Sequence, residues 1–167
     1  MTHPLVNQLA FVRSEFQRCL KGLGEEDAVK RIQPMNCISW IIGHLANQEN
    51  TYWVYLGQEK VIHAHLRELV GYGKPATTPP LVEMQSIWQE VTVEADKFLN
   101  SLTAHDLLQH FNHKRRQLEE SIGTMLYRNI YHYWFHTGEA HAIRQVLGHE
   151  NLPDFVGNMQ QFPYQPE

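Results

Sequence analysis

Apolar residues recur along this chain at steps of three and four, which is the signature of helices with one buried stripe. Leu5, Leu9, Val12, Phe16 and Leu20 mark a first helix from Pro4 to Leu20, ended by Gly22 and Gly24. Residues 25–35 form a connector or a short helix stopped near Pro34. Asn36 is placed to cap a second helix over residues 37–56, with Gly57 behind it as a stop. Ile38, Ile41, Ile42, Leu45, Trp53 and Leu56 give that helix an apolar face. His44, Asn47, Gln48 and Thr51 form a polar stripe beside it. The pattern then breaks from Gln58 to Pro80, a glycine- and proline-rich stretch with one short helical piece over residues 63–70.

Thr78 or Pro79 opens a third helix, since proline suits a first turn. Its stripe is Leu81, Met84, Ile87, Trp88, Val91, Ala95, Phe98 and Leu102, and it ends near Ser101. Residues 103–120 read as a second long connector. A fourth helix follows from about Ser121 to Leu147, closed by Gly148. No segment reads as a strand. The class expected is therefore all-α: a four-helix bundle with two long connections, over residues 1–150. An extended surface tail follows over residues 151–167. Bundles build ligand and metal sites between facing helices, and long connections are often functional.

Composition narrows the choice. The chain has 167 residues, 43% hydrophobic and 19% charged, which suits one soluble folded domain. Its formal net charge of −4 argues against a nucleic-acid grip, which needs a basic face. No stretch is apolar enough to cross a membrane. No secretory leader is evident, because Arg13 and Glu15 interrupt the early apolar run. Two cysteines, Cys19 and Cys37, make no disulfide framework and read as reduced buried thiols in a cytoplasmic protein. There is no GxSxG elbow and no phosphate-binding glycine loop.

Histidine is the outlier, with eleven residues. His132 and His136 are four apart in the fourth helix, so both rings leave one face a turn apart, where they can grip one metal ion. His44 lies on the second helix. If the two helices pack side by side, three imidazoles converge, and three protein ligands with an open position is the catalytic pattern. Each ring also needs a partner for its second nitrogen. Glu139, three residues beyond His136, offers such a partner or a further ligand. Gln48 and Asn47, one turn beyond His44, could orient a water or substrate. The bland reading of the pair is two hydrogen-bonded histidines in an aromatic-rich core. Zinc, nickel and iron all suit imidazole ligands.

The other histidines carry less. His63 and His65 read as solvated loop residues. His105, His110 and His113 sit beside Lys114-Arg115-Arg116 in what reads as a polar surface segment. His141 points off the His136 face, and His149 complements the end of the helix. Tyr127, Tyr131, Tyr133, Trp134 and Phe135 read as core or subunit interface.

Three histidines in this order and context, Ser39-Trp40-Ile41-Ile42-Gly43-His44-Leu45-Ala46 and then His132-xxx-His136-Thr137-Gly138-Glu139, resemble the DinB/YfiT-like superfamily of metalloenzymes, named from a DNA-damage-inducible gene. The resemblance implies a four-helix bundle of unusual connectivity holding one divalent metal on His44, His132 and His136. It implies a homodimer. It also implies a small-molecule activity, either S-transfer or isomerisation dependent on a low-molecular-weight thiol, or metal-dependent hydrolysis. The family often has glutamine where this chain has Glu139, and often a histidine where it has Phe135. The expectation is a metal-dependent transferase or hydrolase with Glu139 and Gln48 as its catalytic residues. The alternative is a non-catalytic, metal-stabilised dimeric binding or stress-response module.

Overall fold

The computed structural model describes residues 2–157, 159–161 and 163–164. The helices are α1 (Pro4–Leu20), α2 (Glu25–Ala28), α3 (Ile38–Glu49), α4 (Leu66–Val70), α5 (Leu81–Leu99) and α6 (Ile122–Val146). A π-helical segment, Asn50–Leu56, continues α3 directly. The protein is mostly α, and the four long helices are the four expected from the periodicity. The expectation of no strand fails in the second connector. There β1 (His110–His113) and β2 (Arg116–Ser121) form a two-stranded hairpin. Lys114 and Arg115 both adopt positive φ, at 49° and 65°, which is the backbone of a type I′ turn. The basic run thus makes a tight turn without the asparagine or glycine that usually signals one.

The chain divides into two compact units. The first comprises Met1–Lys21, Asn100–His110 and Glu119–Glu167, and its main contact is α1 on α6. Leu9, Val12, Phe16 and Cys19 are fully buried along α1. The Phe16 ring meets Tyr133 edge-on, with centroids 5.8 Å apart. Pro4 opens α1, and the His3 ring accepts from the Leu5 N–H. At the other end the buried Arg144 guanidinium donates to the carbonyls of Cys19 and Lys21, which have no partner within the helix. Ser121 caps α6, its hydroxyl accepting from the Thr124 N–H at 3.2 Å, and Gly148 closes the helix at φ 82°.

Burial pushes the Cys19 thiol up to about 11, so it stays protonated near neutrality. Part of the expected surface tail is pinned. The Gly157 N–H donates to Glu15 at 2.9 Å, and Arg18 donates to the Asp154 carbonyl while lying over the Phe155 ring. Residues 158, 162 and 165–167 of that tail lie outside the described residues.

The second unit comprises Gly22–Leu99 and Phe111–Leu118. Here α3 and its π-helical continuation pack on α5, and α4 lies against α3. Ile38, Ile41, Ile42, Leu45, Trp53, Leu66, Val70 and Met84 are fully buried. Gly43 allows the close approach, because a Cβ there would stand 2.5 Å from Met84 Sδ and 3.1 Å from Val70. Several helix boundaries differ from expectation. Helix α4 starts at Leu66 rather than near His63, and α5 starts at Leu81 rather than at Thr78 or Pro79. Cys37, not Asn36, is the N-cap of α3, and it makes no side-chain capping bond. Gly57 keeps a right-handed conformation rather than stopping the helix. It is needed there because Phe98 lies where its Cβ would be. The start of α5 is capped from a distance, the Glu25 carboxylate accepting from the Leu81 N–H at 3.0 Å. A carboxylate also suits the positive end of the helix dipole.

Candidate metal centre

Helix α6 carries His132 and His136 one turn apart, as their spacing requires. Their Nε2 atoms face each other at 3.0 Å. His136 is buried, with 7% exposure, and its Nδ1 lies 2.7 Å from Glu139 Oε2. That contact fixes the tautomer: Nδ1–H donates to the carboxylate, and Nε2 keeps its lone pair. Phe135 stands edge-on to the same ring at 5.0 Å.

On α3, His44 is half-buried and is oriented the same way by different means. Its Nδ1 lies 2.8 Å from the Val70 carbonyl at the end of α4, so it too donates from Nδ1, and Nε2 is the nitrogen that would serve as ligand. Trp40, one turn earlier, stacks on the imidazole at 4.5 Å with 16° between the planes. One ligand nitrogen from each of His44, His132 and His136 lies within 4.8 Å of the other two.

The donor set fits a divalent cation. Nitrogen–metal bonds of about 2.1 Å put neighbouring ligands roughly 3.0 Å apart at a right angle and about 3.4 Å apart in a tetrahedron. The His132–His136 separation matches the first value. Two of the three rings have Nδ1 taken by a fixed acceptor, the outer-sphere arrangement typical of ligating histidines. Gln48, like Asn47, is half-buried one turn beyond His44. Glu139 is engaged with His136 rather than standing apart as an independent base.

Among the described residues no second group of three or more potential ligands is close enough to hold a metal. His63 pairs with Glu90 at 3.0 Å, and His65 is exposed. His105 contacts Gln109, and His113 packs edge-on to Tyr55. His141 turns away to Phe155, and His149 accepts from Arg144 at 2.9 Å. Neither the Val70 carbonyl nor the Trp40 stack is among the residues the sequence pattern singles out. Trp40 had a legible signal, four residues before His44. Val70 had none, because it reaches His44 only through the packing of α4.

Residues 8–140 match the family model of the DinB superfamily. That span is well over half of the chain and contains all three histidines, and the chain belongs to that superfamily. A comparison with curated proteins finds no match.

Proposed function

We propose that this protein is a metal-dependent enzyme acting on a small molecule, with His44, His132 and His136 holding one divalent ion, zinc, nickel or iron. The observation that carries the reading is the approach of the three ligand nitrogens to within 4.8 Å, two of them with Nδ1 already engaged. When bound, such an ion draws a coordinated water or thiol toward its deprotonated form and so supplies a nucleophile. The chain's own thiols offer no substitute, since both cysteines are buried and Cys19 is held protonated. Glu139 acts as a positioning residue, holding the His136 ring and balancing cationic charge. Gln48 orients the incoming group from the polar stripe of α3. Of the two reactions, transfer to a low-molecular-weight thiol is preferred to hydrolysis, on the resemblance set out above.

The reading extends to a cytoplasmic homodimer. Tyr127, Tyr131 and Phe135 recur every four residues on α6 and are 51%, 64% and 68% exposed. An aromatic ridge of that kind is a natural surface for a second copy. No helix among the described residues is long and apolar enough to cross a membrane.

The test is metal analysis of tag-free protein beside turnover of an electrophile with and without a low-molecular-weight thiol. About one ion per chain is expected, as for any dedicated site. His132→Ala should lose both ion and turnover yet keep its helical circular dichroism. A metal content below about 0.2 per chain, against that 1:1 stoichiometry, would sink the proposal. If His132→Ala lost melting stability from a protein that shows no turnover, the non-catalytic module would replace the enzyme.

A further inference from the structure

The second unit holds a cavity of about 400 Å³ whose lining is basic although the chain as a whole is acidic. Lys60, His63, Arg67, His113 and Lys114 contribute to its wall, and no aspartate or glutamate does. Two of these side chains have carboxylate partners, Lys60 with Glu94 and His63 with Glu90. Arg67 and Lys114 form no salt bridge among the described residues. Arg67 projects from α4, where its charge also acts on Glu68, and Lys114 projects from the hairpin turn, so α4 and the turn each bring one cation outside any salt bridge to the same hollow.

The wall also contains Asn50, whose Nδ2 donates to the Ile62 carbonyl at 2.7 Å. That bond fixes the amide against the segment that carries Lys60 and His63. Asn47 and Thr51 complete the link to the metal centre. They line the cavity and continue the α3 stripe that begins at His44, about 5–10 Å along the helix.

We propose that this cavity binds the anionic end of the small molecule, a carboxylate or phosphate, and holds it between Arg67 and Lys114 while its other end reaches the His44 end of the stripe. Guanidinium and ammonium groups provide charge-assisted hydrogen bonds to such an anion. This deepens the function proposed above and rests on it for the role of His44, but the binding itself does not require the metal.

Full-length protein as purified is titrated separately with inorganic phosphate and with succinate, followed by backbone amide shifts. One of the two anions should saturate at one per chain and move resonances of Asn50, Thr51, Arg67 and Lys114. The anion that saturates at the lower concentration identifies the group as phosphate or carboxylate. The double variant Arg67→Gln/Lys114→Gln, altered only at exposed positions, should weaken that binding about tenfold or more. Arg115→Gln removes a charge from the same turn but not from the cavity wall, and should bind as wild type does. Failure of both anions to saturate, or equal binding by all variants, overturns the proposal. Metal content measured on the same samples separates the two readings. Lost anion binding at full metal content removes the cavity assignment alone, and intact anion binding at negligible metal content removes the metal centre alone.

Discussion

Removing the Glu139 carboxylate should weaken metal binding by one to two orders of magnitude without unfolding the protein. The bond at stake is short, 2.7 Å from His136 Nδ1, with the two side chains 9% and 22% exposed. A hydrogen bond to a charged group in such a setting contributes about 1.5–3 kcal/mol. The partial exposure of Glu139 places it toward the lower end of that range. At about 1.4 kcal/mol per factor of ten, Glu139→Ala should cost roughly 10- to 100-fold in affinity, the range found for outer partners of ligating histidines. Glu139→Gln keeps an acceptor oxygen on the same ring and loses only the charge, so a smaller loss of about 3- to 10-fold is expected, below the range for full removal. Competition for zinc against a chromogenic chelator measures both, with circular dichroism confirming the helices. Zinc affinity for Glu139→Ala within about twofold of wild type, far below the tenfold minimum, would show that the carboxylate does not position the ligand.

Two further outcomes follow from the first unit. Arg144→Met should lower stability by about 2 kcal/mol, because it leaves the buried Cys19 carbonyl without a donor and removes a part-buried bond to Lys21; a chemical-denaturation midpoint unchanged from wild type would contradict this. The clasp between Glu15 and the tail should open in acid. The Arg18 guanidinium holds the Glu15 carboxyl below the usual glutamate range, so the stabilisation is complete above that range and is lost as pH falls through the lowered value. Proteolysis within residues 151–157, followed from pH 6 to pH 3, should accelerate only at the acid end, and Glu15→Gln should show the acid behaviour at every pH.

The sequence made α1 and α6 legible almost to the residue, because periodicity, caps and terminating glycines agree there. Pro4, Ser121 and Gly148 each act locally, and each occupies the role its chemistry suggests. Elements set by distant partners were not legible. Glu25 caps α5 across 56 residues of sequence, and Gly57 reads as a stop although its purpose is to admit Phe98. The hairpin escaped notice because Lys114 and Arg115 occupy left-handed positions that sequence patterns reserve for asparagine and glycine. At the candidate centre, the His132–His136 spacing and the Glu139 offset follow from helix geometry alone. The orientation of His44 depends on Val70, and periodicity says nothing of it.

The π-helical segment Asn50–Leu56 follows directly on the turns that carry His44, and it sets Trp53 and Val54 into the core. Shortening the segment by one residue would turn everything beyond it by about 100° while leaving His44 where it is. A change of length here therefore acts on the seating of Trp53 and Val54 and leaves the ligand on the earlier turns in place.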